Sequence, residues 1–291
     1  MKLSYILLSV IASTFSFQGN AAELPFSEHP YGVCATDIKL DALSRDLEIP
    51  PASPSGLVKT LNFGGGFMLI HLDPISSAFI EFAKTSSYPV LDIGAAYGVA
   101  TLPALDHSTC AVIADDIGSE NLLILQKQVD KKNRERLYLN QKRFPQELDF
   151  KPNSLGGVLI CRVFHFLRGE EIEEGLKKIF SWLAPGGKLF IVTSTPYQGN
   201  ITEFVSVYEE RWADGISWPG YVENYGSNAP GLSSNLNPFL HVMDERPLRK
   251  ALESAGFLVE KVEYIDRRKT IPTLCLDGRE GIGIIASKPT F

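Results

Sequence analysis

Residues 89–105, PVLDIGAAYGVATLPAL, start as a strand-length apolar run, break at Gly94 and again at Gly98, and then resume apolar residues at helical spacing. A buried strand that passes through small residues into a helix is the opening unit of an α/β domain. Further strand-length apolar runs at 110–114, 157–161 and 188–193 are mostly separated by helical patterns. That alternation predicts parallel strands joined by right-handed crossovers, a doubly wound and mostly parallel sheet. Near the end, DERPLRKALESAGF places Leu248, Ala251, Leu252 and Ala255 on one helical face, with Gly256 positioned to stop it. Two strand-like runs follow, FLVEKVEYIDR and GIGIIASKP, and the connection at 269–280 has too little helical pattern for a crossover. They read as an antiparallel hairpin closing one edge of the sheet.

Within this frame the clearest helix carries Ile172, Leu176, Ile179, Phe180 and Leu183 at spacings of three and four. It is expected to end at Pro185, Gly186 and Gly187, where proline stops the helix and glycine accepts a C-terminal cap. Residues 197–241 interrupt the alternation with Tyr197, Phe204, Tyr208, Trp212, Trp218, Tyr221, Tyr225 and Phe239. An insertion this long at a strand's carboxyl end reads as a lid over a pocket, or else as decoration. Upstream, EIPPASPSG reads as an irregular connection, and NFGGGFM (62–68) as a glycine-rich loop, with a gate as the alternative. The chain of 291 residues, 44% of them hydrophobic, can bury one such core.

The first residues, MKLSYILLSVIASTFSFQGNAAELPF, combine Lys2, an apolar run from Leu3 to Phe17, and small residues at Ala21 and Ala22. This layout predicts a secretory signal peptide over 1–22, with no stable membrane span once it is cleaved. An extension at 23–87 would then precede a domain at 88–291. Without Lys2 the chain has 27 basic and 34 acidic residues, a mildly acidic balance, and no run supplies the basic patch that a nucleic-acid backbone needs. Nucleic acid is therefore not an expected partner. Cys34, Cys110, Cys161 and Cys275 lie far apart without C-x-x-C spacing, so no metal site is indicated. Cys110 and Cys161 read as buried, inert thiols, while an oxidising compartment would allow Cys34 to pair with Cys275.

In an open parallel sheet the ligand crevice lies beyond the carboxyl ends of the strands, and the turn after the first strand faces it. In LDIGAAYG, Gly94 permits a tight bend and close approach, Ala95 and Ala96 stay small, and Gly98 lets the next helix pack closely. The helix N-terminus offers backbone N–H groups to a polar ligand. The next strand ends in Asp115 and Asp116, where a carboxylate can accept hydrogen bonds from a ribose diol or cap a helix.

Taken together, VLDIGAAYG, VIADDIGSENL, FKPNSLGGVLICRVFHFL, LKKIFSWLAPGGKLFIV and the closing helix and hairpin resemble the class I S-adenosylmethionine-dependent methyltransferases over about residues 88–289. The resemblance implies a seven-stranded Rossmann-like sheet, S-adenosylmethionine as cofactor and transfer of its methyl group to an acceptor left unidentified. It places Asp92 near the methionine end of the cofactor, bends residues 94–98 around it, and puts Asp116, or the neighbouring Asp115, on the ribose hydroxyls. Cys161, at the end of its strand, joins this set. Where such enzymes usually carry an adenine-contacting acid, this chain has Arg143 and Phe144, and Phe144 offers a ring to stack on adenine. Ala96 replaces the second glycine of the family's D-x-G-x-G-x-G, a change that a negative φ would tolerate.

In methyl transfer the protein chiefly aligns, desolvates and, where needed, removes a proton. His165, just past a strand end in CRVFHFL, is the candidate base for a hydroxyl acceptor, with a structural histidine as the alternative. His241 is a weaker second; His29, His71 and His107 carry no positional argument. CRVFH lacks the Asn/Asp-Pro-Pro-Tyr pattern of the enzymes that methylate adenine or glutamine nitrogens. Two rivals stand beside the methyltransferase: a noncatalytic protein retaining the fold, and a nicotinamide-dependent oxidoreductase, whose G-x-G-x-x-G is not matched by GAAYGVA.

Overall fold

The computed structural model describes residues 24–39, 45–61, 66–223 and 239–290. The expected signal peptide at 1–22, residues 62–65 of the glycine-rich loop and Tyr225 of the insertion lie outside the described residues. In chain order the strands are β1 (Val33–Cys34), β2 (Leu57–Lys59), β3 (Phe67–Leu69), β4 (Val90–Ile93), β5 (Val112–Asp115), β6 (Leu137–Asn140), β7 (Leu155–Cys161), β8 (Leu183–Ser194), β9 (Tyr221–Glu223), β10 (Phe239–His241), β11 (Leu258–Ile265) and β12 (Gly281–Ser287). The helices are α1 (Pro74–Ala83), α2 (Thr101–His107), α3 (Ser119–Gln128), α4 (Gly169–Trp182), α5 (Phe204–Ala213) and α6 (Glu245–Ser254).

The main sheet has the order β1-β6-β5-β4-β7-β8-β12-β11. Strands β6, β5, β4, β7 and β8 run parallel, and β12 lies antiparallel between β8 and β11. The expected closing hairpin is therefore present, and its second strand joins the sheet. Seven strands were expected and eight are found, because Val33 of the N-terminal extension pairs antiparallel with Leu139 and covers the free edge of β6.

Alternate residues along the central strands feed two cores. Leu91, Ile93, Ile113 and Ile160 face Ile172, Leu176 and Ile179 of α4 and Leu248 and Leu252 of α6. Val90, Val112, Ala114 and Leu159 face the other way, toward Phe79 of α1, Leu105 of α2 and Leu122 of α3. Strands covered on both faces read as continuous apolar runs, which is why they were visible in the sequence. Helix α4 stops at Trp182, three residues before Pro185. The carbonyls of Ser181 and Trp182 there accept hydrogen bonds from Asn153 N (2.9 Å) and Ser154 N (2.8 Å), and Leu183 already pairs with Leu155. The cap is thus supplied by the chain entering β7, and Gly186 turns the following strand.

Cys34 and Cys275 are free thiols. Cys34 sits on the edge strand β1, and Cys275 lies near the β11–β12 end of the sheet. Several strand spacings of about 4.8 Å separate them, whereas a disulfide needs Cα atoms within about 7 Å. The pairing allowed by the sequence is excluded by this topology.

Candidate active site

Ile93 pairs with Asp115 on one side and with Ile160 on the other, so β4, β5 and β7 end level. The chain leaves β4 toward β5 on one side and later returns to β7 on the other, which makes this a topological switch point. A crevice of about 920 Å³ opens there. Its floor is formed by Asp92, the turn at 94–96, Asp115 and Asp116, and residues 161–163.

The turn after β4 is fixed by hydrogen bonds from Gly94 N and Ala95 N to Asp115 O, at 2.8 and 2.9 Å. Gly94 has φ +75°, and a Cβ there would run into Val163 Cγ2. Ala96 has φ +45°, not the negative angle its methyl group would prefer. The left-handed region costs a non-glycine residue about 1–2 kcal/mol. Asp116 holds it there: Ala96 N donates to Oδ2 at 2.9 Å, while Gly118 N and Asn121 Nδ2 donate to Oδ1 at 2.8 and 3.0 Å. Asp116 is thereby occupied as the brace of the turn. Asp115, 2% exposed, has an Oδ1 without a hydrogen-bond partner. Burial first, then the neighbouring Asp116, push its carboxyl well above the usual range.

Asp92 accepts a 2.7 Å hydrogen bond from Thr101 Oγ1. Burial raises its carboxyl from 3.8 to about 7, against the opposing pull of that bond and with a further push from Asp116. Cys161 Sγ lies 3.6 Å from Asp73 Oδ2, and burial pushes this thiol up to about 12, so it is inert.

Residues 90–187, from β4 to the turn within β8, match the family model for a methyltransferase domain. This is the class I methyltransferase fold. Similar solved structures include a SAM-dependent methyltransferase from Methanosarcina mazei, with 17% identity and a TM-score of 0.53 over 76% of this chain and 99% of that one. An S-adenosylmethionine-dependent methyltransferase from Mesorhizobium loti has 15% identity and a TM-score of 0.53, over 74% of this chain and 98% of that one. The [4+2]-cyclase SpnF has 13% identity and a TM-score of 0.53, over 75% of this chain and 80% of that one. Identities this low show the fold alone, and the presence of a cyclase among them shows that the fold does not name the reaction. Among curated proteins, none matches the sequence significantly.

Around this crevice three expectations are corrected. His165 does not border it. In the short 3-10 turn Phe164–Phe166 successive side chains project about 120° apart, so Phe164 enters the core, Phe166 borders the crevice and His165 takes the third direction. Burial foremost, then Arg267 and Arg162, lower its imidazole to about 3, too weak a base to take a hydroxyl proton. His241 is likewise structural: it is buried, its Nδ1 lies 2.8 Å from Leu167 O, and its ring stacks on Tyr221 at 4.2 Å. Phe144 borders the crevice, but its ring fills the space left by Gly175 on α4 and meets Trp182 edge-on at 6.5 Å. It is spent on the core instead of standing open to stack on a base.

The third correction concerns the insertion. Among the described residues, none between 197 and 241 borders the crevice. Trp218 packs on Gly169 and donates from Nε1 to Glu173 at 2.9 Å; Tyr221 accepts from Gly169 N; Trp212 and Tyr208 lie beneath the Arg246 guanidinium, at 5.2 and 5.5 Å. Its aromatics dock it on α4 and α6. The crevice is covered instead by the β2–β3 hairpin of the N-terminal extension, through Lys59, Thr60, Leu61, Phe67, Met68 and Leu69. This hairpin is tied to the domain by Tyr97 Oη donating to Lys59 O at 2.9 Å and by Leu61 N donating to Asn121 Oδ1 at 3.0 Å.

Residues not among the expected site residues also converge here: His71, set aside in the sequence for want of a positional argument, at the exposed rim, Lys142, and Arg162 at the end of β7. Only Arg162 had a signal, its place directly after a strand-length run. Elsewhere, Asp266, Cys275 and Glu280 bring ligand atoms within 4.8 Å of one another. Glu280 is surrounded by donors, with Oε1 accepting from the backbone N–H groups of Leu276, Asp277 and Gly278 and Oε2 from Arg267 N, an arrangement that suits a structural carboxylate and not a cation ligand. No helix among the described residues is long and apolar enough to cross a membrane.

Proposed function

We propose that this protein is an exported S-adenosylmethionine-dependent methyltransferase, with residues 1–22 as its signal peptide and an acceptor bound beside the cofactor under the β2–β3 hairpin. The observation that carries this reading is the orphaned Asp115 Oδ1, a buried acceptor in a crevice whose turn leaves no room for a side chain at Gly94. A hydrogen-bond donor on a ligand is what such an oxygen lacks, and a crevice of about 920 Å³ is large enough for a nucleoside ligand and an acceptor together. The residues present therefore fit the cofactor. Asp115 would accept from its hydroxyl or amino donors, Asp116 would hold the turn in shape, and Asp92 would face the cationic methionine end. When bound, the cofactor supplies an electrophilic methyl group. The chain's own contribution is orientation and exclusion of water by the hairpin and Phe166.

A second reading, a noncatalytic binder that retains the fold, is favoured by the strained Ala96 and by Lys142 and Arg143 at the adenine end. Calorimetric titration of the mature protein with S-adenosylmethionine and with NAD tests the first reading. Binding of S-adenosylmethionine alone, weakened by Asp115→Asn, is expected; binding of NAD, or of neither, would contradict it. Methyl transfer to small-molecule extracts separates the catalyst from the binder, and mass spectrometry of the mature N-terminus in fractionated cells tests export.

A further inference from the structure

The end of β7 carries a feature outside the cofactor contacts proposed above. Arg162, the first residue past the strand, has φ +60°, a conformation that costs a non-glycine residue about 1–2 kcal/mol. Its N–H donates to Val192 O at 2.7 Å, and its side chain borders the crevice, 18% exposed. Strain kept at such a place points to a side chain whose direction matters.

The guanidinium is incompletely paired. Nη2 lies 3.5 Å from Asp73 Oδ2 and Nη1 lies 3.4 Å from Cys161 Sγ, while the buried Nε has no partner. Asp73 is committed elsewhere as the N-cap of α1: Oδ1 accepts from Ile75 N and Ser76 N at 3.0 and 2.8 Å, and Oδ2 accepts from Ser76 Oγ at 2.9 Å. A guanidinium offers five N–H donors in a fork that matches a carboxylate, and a buried donor left unpaired is costly. The crevice it borders is lined in part by the apolar side chains of Phe67, Met68, Leu72, Val163 and Phe166. Phe67 and Leu72 are 37% and 40% exposed, so both offer apolar surface to a ligand in the crevice.

We propose that the methyl acceptor is the carboxylate of a small molecule with an apolar body, held by Arg162 against the hairpin. This rests on the methyltransferase reading above. The chemistry agrees with the side chains in place. A carboxylate oxygen attacks the methyl carbon, the carbon–sulfur bond breaks with its electron pair going to sulfur, and a cation and an anion become a neutral ester and a thioether. No proton has to be removed, which suits a crevice from which His165 is turned away. His71 at the rim is the rival group, since it would serve a hydroxyl acceptor instead.

The test uses the full chain and three ten-carbon probes, decanoate, decanol and decylamine, titrated calorimetrically with and without S-adenosylhomocysteine. Decanoate is expected to bind at least tenfold more tightly than decanol. Arg162→Gln should erase that preference while affinity for S-adenosylmethionine changes less than threefold, and Arg162→Lys should keep part of it. Equal binding of decanoate and decanol by the unmodified protein would overturn the proposal, a comparison that needs no variant to fold. Retention of the preference in Arg162→Gln, or a decanol preference lost in His71→Gln, would overturn it as well. Loss of S-adenosylmethionine binding with an Arg162-dependent carboxylate preference intact would sink the methyltransferase reading alone.

Discussion

Asp92→Asn is expected to stabilise the cofactor-free protein at pH 8 while destroying its affinity for S-adenosylmethionine. Asp92 is 3% exposed, and its single resolved partner is the Thr101 hydroxyl at 2.7 Å, which an asparagine Oδ1 can also accept from. Burial holds the carboxyl at about 7 against 3.8 for a free side chain, so the folded state binds the proton more tightly than the unfolded chain. The sign follows from linkage: the favourable contribution is complete below pH 3.8 and is lost as pH rises through about 7. A gap of that size corresponds to about 4 kcal/mol across the range. The neutral amide escapes that loss, so the variant should exceed the parent by about 2–4 kcal/mol at pH 8, with the difference shrinking steadily toward pH 4. Urea unfolding of both proteins at pH 8, 7, 6 and 5 reads the difference directly. A variant less stable than the parent at pH 8, or a difference independent of pH, would refute the account of a carboxylate kept in the crevice at the expense of the fold.

Three further substitutions probe other parts of the site. Ala96→Gly should relieve the left-handed methyl and stabilise the protein by about 1 kcal/mol, seen as a melting temperature roughly 2–4 °C higher; an unchanged or lower melting point would mean that the turn is unstrained. Gly94→Val should abolish S-adenosylmethionine binding while leaving the circular dichroism spectrum intact, because the new side chain meets Val163 in the crevice; unaltered calorimetric affinity would contradict the site. Trp218→Ala should destabilise by about 3 kcal/mol through the cavity left beside α4, with cofactor affinity within threefold; a selective loss of cofactor binding would restore the insertion to the crevice.

The legible parts were those whose physics is periodic. Runs buried on both faces announced β4, β5, β7 and β8, and the stripe of Ile172, Leu176 and Ile179 announced α4. Glycine and acid placement at 92–98 and 115–116 announced the crevice, because backbone approach and carboxylate position follow from strand ends. What was not legible depended on where loops dock. The aromatics at 197–241 looked like a lid because a composition cannot say which surface it covers; Gly169 made room for Trp218 on α4 instead. Nor does a residue's distance from a strand end give its direction. His165 and Arg162 lie three residues apart, yet the positive φ of Arg162 and the 3-10 turn that follows send one into the crevice and the other away from it. Ala96 was recognised as a departure, but its backbone angle belongs to the hydrogen bond from its N–H to Asp116, a contact twenty residues distant.

The central claim, that the crevice at the ends of β4, β5 and β7 holds S-adenosylmethionine, is tested most directly by a crystal structure of the protein grown with S-adenosylhomocysteine. The account predicts the ligand against the Gly94 turn, with one of its hydroxyl or amino donors within hydrogen-bond reach of Asp115 Oδ1. A crevice empty at saturating ligand, or a ligand bound elsewhere with Asp115 Oδ1 still unpartnered, would contradict it.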